Sequence, residues 1–181
     1  MAVTLDQLEE FLKQKEMNYE RDDEENLIQT GIGDSENSGM IFIRSLDDGK
    51  NFLLQLEPIK KDKSGMFDID FSHQNINKVL MFLMYKNYSY KHGKWEYNFN
   101  DGDLRFSISI PLEDAIMTFD QFDTLIRVCY SSLDEIGSIS YILENGEIPE
   151  EKSGEEKMAE MLRKMLSEIE GKKSDSDDEG I

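Results

Sequence analysis

The sequence predicts an α+β fold, a twisted five-stranded antiparallel sheet with helices packed beside it in the order α-β-β-β-α-β-β-α. Three observations carry this expectation. Asp48-Gly49 and Asp101-Gly102 each stand between alternating apolar runs, and a type I′ hairpin turn needs positive φ at both central positions. Two capping boxes, Thr4-Leu5-Asp6-Gln7 and Thr118-Phe119-Asp120-Gln121, open runs of helical apolar period. The strands come as hairpins rather than as strand–helix alternation, which argues against a doubly wound parallel sheet.

In chain order, the first helix opens at Thr4, buries Leu5, Leu8, Phe11 and Leu12, and fades near Glu16. Leu27 to Ile32 reads as a short strand, which Asn18 to Asp22 extends. Gly31, Gly33, Asp34, Ser35 and Gly39 mark a loop. A hairpin over residues 39–57 turns at Asp48-Gly49 and is closed by Pro58. Its register pairs Asp47 with Lys50, Ile43 with Leu54 and Ile41 with Leu56. Ile41, Ile43, Phe52, Leu54 and Leu56 therefore share one face. Met40, Phe42 and Leu53 stand on the other face, beside Arg44, Gln55 and Glu57. An apolar patch on a wet face predicts a cover: a loop, the C-terminal segment or another subunit.

Lys60-Lys61-Asp62-Lys63 reads as a solvated loop, and Met66 to Phe71 as an alternating run. Ser72 is the expected cap of a second helix. There Ile76, Val79, Leu80 and Leu83 recur at helical spacing, and Met81, Phe82, Met84 and Tyr85 broaden the face. A helix that apolar is expected to be buried on more than one side. The second hairpin, about residues 94–110, has Asp101-Gly102 at its tip. Phe99 is then set against Leu104, Tyr97 against Phe106 and Trp95 against Ile108, all on one face. Glu96, Asn98, Arg105, Ser107 and Ser109 take the other. The third helix opens at Thr118 with the stripe Phe119, Phe122, Leu125, Ile126, Cys129, Leu133 and Ile136, and Gly137 weakens its continuation. The domain is expected to span residues 1–145. Residues 146–153 form a linker, and 154–170 an amphipathic helix with Met158, Met161, Leu162, Met165, Leu166 and Ile169 on one face. Residues 171–181 form a disordered acidic tail.

The formal net charge is −19 over 181 residues. Such a chain is repelled by phosphate backbones and anionic lipid surfaces, so neither nucleic acid nor a membrane is the expected partner. The start of the sequence lacks the basic and apolar regions of a signal peptide, and no run approaches a membrane span. A cytoplasmic location is the expectation.

No catalytic constellation, cofactor loop or metal set can be nominated. Cys129 lies on an apolar stripe and reads as a small buried hydrophobe. Asp22 to Glu25 lacks the shaped loop of a hard-cation site. Asn98 to Asp103 misplaces the glycine of a calcium loop and has no twelfth-position Glu. Asp68, Asp70 and His73 could gather round a metal, but read first as the wet side of a strand and a helix's first turn. Gly31-Ile32-Gly33 lacks the context of a dinucleotide loop. Ser174 to Glu179 resembles an acidic-directed kinase site and reads first as a solvated tail.

The hairpin Trp95–Ile110, the connector Pro111-Leu112-Glu113-Asp114-Ala115, the run Thr118 to Phe122 and the preceding apolar helix ending in Asn87-Tyr88 together resemble the YbjN family of bacterial proteins. The resemblance spans about residues 3–145. It implies a fold like the type III secretion chaperones, small acidic proteins that are often dimeric, and a role in regulating sensory transduction. It carries over no catalytic or metal residue. The expectation is thus a non-catalytic homodimeric module that binds a protein partner. Contact residues would be Met40, Phe42 and Leu53 on the sheet and Met158, Met161, Leu162, Met165, Leu166 and Ile169 on the C-terminal helix. That helix either folds back, over Phe42 and Leu53, or meets the partner. A rival reading is an enzyme or small-ligand sensor with a carboxylate-lined pocket walled by Trp95, Tyr97 and Tyr85. Another is an acidic mimic competing for a basic partner surface.

Overall fold

The computed structural model describes residues 3–34, 37–60 and 65–149. Its elements are α1 (Leu5–Gln14), β1 (Glu20–Asp22), β2 (Leu27–Gly33), β3 (Ser38–Leu46), β4 (Asn51–Ile59), α2 (Ile76–Ser89), β5 (Lys94–Tyr97), β6 (Leu104–Pro111), α3 (Phe119–Ser132) and α4 (Asp134–Asn145). The strands form one antiparallel sheet in the order β1-β2-β3-β4-β6-β5. Contacts divide the chain into Met1–Ile148 and Pro149–Ile181. The C-terminal helix and acidic tail expected from the sequence lie outside the described residues.

The α+β class and antiparallel sheet agree with expectation, but the sheet has six strands, not five. Glu20–Asp22 does not extend β2; it is a strand of its own, folded back on Leu27–Gln29. A turn separates the two, with Asn26 at φ 50° and the Asp22 carboxylate accepting the Glu24 and Glu25 amides. Gly31, Gly33 and Gly39 are strand residues, so the connection is shorter than the glycines suggest.

The first hairpin has the expected register, Ile41 opposite Leu56 and Ile43 opposite Leu54. Asp48 and Gly49 take φ of 55° and 83°, and the Lys50 amide donates to Asp47 O at 3.2 Å, closing the turn. Pro58 lies inside β4 rather than ending it. Strand β6 pairs only with Asn51–Leu56, so beyond Leu56 the missing proline donor breaks no ladder bond.

The second hairpin differs from expectation by two residues. Trp95 stands opposite Phe106 and Tyr97 opposite Leu104. The Asn98 carbonyl accepts the Gly102 amide, while the Asn98 and Asp101 side chains accept the amides of Asn100 and Asp103. These local bonds build a wider loop than a two-residue turn. A shift of two preserves which side chains share a face, so Trp95, Leu104, Phe106 and Ile108 are all buried. Phe99 is lost to the core and stands 64% exposed in the loop.

The four helices of the described residues pack on one side of the sheet. Leu8 and Leu12 of α1, Val79 and Leu83 of α2, Phe122 and Cys129 of α3 and Ile139 of α4 join the inward set Ile41, Ile43, Phe52, Leu54, Leu56 and Phe106 in one core. Burial also pushes the Cys129 thiol pKa up, as befits a core cysteine.

Both capping threonines act as expected. At α3 the box is complete, with Gln121 N donating to Thr118 Oγ1 at 3.2 Å and Thr118 N to Gln121 Oε1 at 2.9 Å. At α1 only half forms: Gln7 N donates to Thr4 Oγ1, but the Gln7 side chain donates its Nε2 to Met117 O at 2.9 Å and ties α1 to the entry of α3. Helix α2 starts at Ile76 behind Asn75, not behind Ser72. The Asp70 carboxylate accepts the Ser72 amide at 2.7 Å and winds residues 70–73 into a separate turn. The single long third helix is instead two, parted at Leu133. Ser131 and Ser132 hydroxyls donate to the carbonyls of Val128 and Cys129, competing with the helical ladder at the break.

An ion-pair cluster stitches α1 to β1. Glu9 accepts hydrogen bonds from Tyr19 at 2.6 Å, Arg21 at 2.7 Å and Lys13 at 2.9 Å. These bonds hold its carboxyl at about 2, against an ordinary 4.5. A depressed carboxyl stabilises the fold above its unfolded pKa and loses that contribution as pH falls from about 4.5 to about 2. Glu9→Gln is therefore expected to unfold more readily than wild type at neutral pH, with the gap closing as pH falls through that window. Paired urea titrations from neutral pH downward check this; a gap independent of pH would contradict it.

Candidate interaction surface

The face of the sheet opposite the helices carries the first set of expected contact residues. The register sets Met40 beside Glu57, Phe42 beside Gln55, and Arg44 beside Leu53. Met40, Phe42 and Leu53 are each half-buried by their neighbours, with Phe42 and Leu53 diagonal to one another. Leu27, opposite Arg44, belongs to the same face and is buried. No described element lies over this face, and all four helices sit behind it. Met158, Met161, Leu162, Met165, Leu166 and Ile169 lie outside the described residues.

Several polar groups on the same face are already partnered. Arg44 donates to Gln55 at 3.1 Å, and Glu96 accepts from Arg105 at 3.0 Å and Ser107 at 2.9 Å. Despite partial burial, the bonds from Lys94, Ser107 and Arg105 hold the Glu96 carboxyl below its ordinary range. Glu57 moves the other way, raised by burial and by Asp103.

A second surface was not foreseen. Helix α2 buries Ile76, Val79, Phe82 and Leu83 but leaves Met81 64%, Met84 73%, Tyr85 55% and Tyr88 91% exposed. These four fall at i, i+3, i+4 and i+7, so they form one stripe. The helix is thus buried on one side, contrary to expectation. The signal was present in the sequence: an apolar set too wide for one contact face means either burial on two sides or an exposed second side. Periodicity alone does not separate the two.

The rival pocket of Trp95, Tyr97 and Tyr85 does not assemble. Trp95 packs edge-on against Phe106 at 5.5 Å, the Tyr97 hydroxyl donates to Ile69 O at 2.6 Å, and Tyr85 lies on the outer face of α2. A carboxylate-lined recess of about 650 Å³ does exist elsewhere, walled by Asp6, Asp23, Asp47 and Asp48. Its cation is Arg21, which is engaged by Asp6 at 2.6 Å and Asp23 at 2.7 Å. Asp68 pairs with Lys60, Asp70 turns to Ser72, and His73 Nδ1 accepts the Asn75 amide, so these three are not brought together. Among the described residues no group of His, Cys, Asp and Glu is placed to hold a metal. No helix of the described residues is long and apolar enough to cross a membrane.

Between α2 and α4 lies a polar contact of a different kind. Glu135 meets Lys86 at 3.2 Å and lies 3.4 Å from the Tyr90 hydroxyl, all three being largely buried. Burial raises the Glu135 carboxyl even against the pull of Lys86, and raises the Tyr90 phenol further. The contact ties the end of α2 to the start of α4.

Comparison with known proteins agrees with this architecture. The pattern of the YbjN family, described as a putative bacterial sensory transduction regulator, matches residues 4–137. A crystal structure of YbjN from E. coli, described as a putative transcription regulator, is similar with a TM-score of 0.54 and 16% sequence identity. The match covers 81% of this chain and 93% of that one. At that identity the likeness concerns the fold. No curated protein matches. An antiparallel sheet backed by helices, with the hairpin, connector and capped helix all inside the matched span, makes this chain a member of the YbjN family.

Proposed function

We propose that the protein is a non-catalytic, cytoplasmic regulator that works by binding protein, in the manner of a secretion-type chaperone, and that it does so as a homodimer. The observation that carries this reading is the open sheet face, where Met40, Phe42 and Leu53 stand together with no described element over them. A solvated antiparallel face ordinarily alternates to polar residues. The patch is also self-complementary. Arg44 lies toward one end and Glu57 toward the other, so a two-fold axis running across the strands sets Arg44 of each protomer over the partner's carboxylate end. The charge of −19 speaks against nucleic acid or anionic lipid as partner.

Light scattering over a concentration series tests the assembly. Wild type is expected to run as a dimer and Phe42→Lys as a folded monomer, because the substitution sets two like charges against each other near the axis. A wild-type chain that stays monomeric at every concentration would remove the homodimer from the reading.

A further inference from the structure

We infer that the outer face of α2 is a docking site for an acidic amphipathic helix of a partner protein. The inference rests on the reading of the chain as a protein-binding module and names the chemistry of one partner. Two observations meet here. The first is the stripe Met81, Met84, Tyr85 and Tyr88, which lies on the outer side of α2 while Val79, Phe82 and Leu83 hold the helix to the core. A groove or stripe read at i, i+3, i+4 and i+7 fits the apolar face of another helix.

The second is charge. The chain carries 39 acidic residues, yet none between Phe71 and Trp95. That acid-free stretch contains Lys78, Lys86, Lys91 and Lys94. Lys86 turns inward to Glu135, while Lys78, Lys91 and Lys94 are exposed. Lys78 stands three residues before Met81 and seven before Tyr85, on the edge of the stripe, and Lys91 follows its far end, whereas Lys94 belongs to β5 and shares the open sheet face with Glu96 and Ser107. Lys78 reaches the Gly146 carbonyl, which removes no charge. The result is an apolar stripe with an exposed lysine at its edge and a second beyond its far end, on a protein of net charge −19.

Those lysines select among occupants. A second copy docked stripe to stripe about a two-fold axis would bring lysines against lysines. A basic amphipathic helix would suit the overall field of the protein but meet the same lysines. An acidic amphipathic helix is repelled by the net charge of the chain but meets lysines at this face.

The test uses the full chain and two synthetic amphipathic peptides of about 18 residues. They share one Leu/Met stripe and differ only in Glu or Lys on the polar face. Fluorescence anisotropy is expected to show the Glu-framed peptide binding at least about tenfold tighter than the Lys-framed one, a preference opposite to that of net charge. Tyr88→Ser with Met84→Ser is expected to abolish binding; both side chains are mostly exposed, and circular dichroism checks that the fold is kept. Lys78→Glu with Lys91→Glu is expected to reverse the preference. Equal or inverted affinities in wild type, or binding that survives loss of Met84 and Tyr88, would overturn the proposal. So would a dimer that the Met84 and Tyr88 changes convert to monomer, since the occupant would then be a second copy. Dimerisation that depends on Phe42 is read on the opposite side of the sheet, so it stands or falls separately.

Discussion

Phe106→Ala is expected to lower the free energy of unfolding by about 3–5 kcal/mol, the range for truncating a fully enclosed phenylalanine. Phe106 sits in the middle of β6, between Leu56 of β4 and Trp95 of β5, with no exposed surface. Its ring meets Tyr90 edge-on at 5.0 Å and Trp95 at 5.5 Å. The chain turns from α2 into β5 directly over it: a Cβ on Gly93, which holds φ at 82°, would come within 2.5 Å of the ring. None of these neighbours can close the space, because Trp95 and Tyr90 are each held by a strand or helix end. The loss is therefore cavity as well as transfer energy. A domain of this size has about 5–15 kcal/mol in all, so the variant should stand near the limit of folding. Trp95 is the single tryptophan and is 4% exposed, which makes its emission a direct reporter. Urea titration followed by that emission should show a lower midpoint with an unchanged slope. A loss under about 1 kcal/mol would mean that the packing round Phe106 is looser than its contacts indicate.

What the sequence revealed, and what it did not, follows a physical line. Alternation fixed which side chains share a face, because strand period tolerates no error of one. Ile41, Ile43, Phe52, Leu54 and Leu56 are all wholly buried, and Met40, Phe42 and Leu53 stand together on the other face, as their parity required. Register was legible at Asp48-Gly49, where backbone bonds from Gly49 and Lys50 close the turn. It was misread where side chains did, at Asn98 and Asp101, whose bonds to nearby amides enlarge the loop and expose Phe99. The break at Leu133 was hidden for the same reason, since two serine hydroxyls reshape a helix whose apolar stripe continues across it. The outer stripe of α2 was misread because period identifies a helix but does not say which of two apolar sides faces the core. Only the packing of Val79, Phe82 and Leu83 decides that.

Asn87 at the end of α2 is expected to matter nearly as much as the core. Strand β5 closes one edge of the sheet, and an uncovered edge offers bare amides and carbonyls. Here the Asn87 amide acts as a substitute strand. Its Oδ1 accepts the Trp95 amide at 2.7 Å, and its Nδ2 donates to the Trp95 carbonyl at 3.0 Å. One side chain thus satisfies both backbone groups of a residue whose own ring is in the core, and fastens α2 to the sheet. Asn87→Leu keeps the size and removes both bonds. Each unsatisfied backbone group costs about 1–3 kcal/mol when buried. The site is part-buried, so water recovers some of that, and about 2–4 kcal/mol is the expected loss. The two bonds also predict a local signature that a mere packing defect would not leave. In native-state hydrogen exchange the Trp95 amide should lose its protection beyond the global loss, while the amides of Ile43 and Leu54 in the first hairpin should follow the global change alone. Trp95 protection that falls only in step with Ile43 and Leu54 would show that the edge is closed by something other than Asn87.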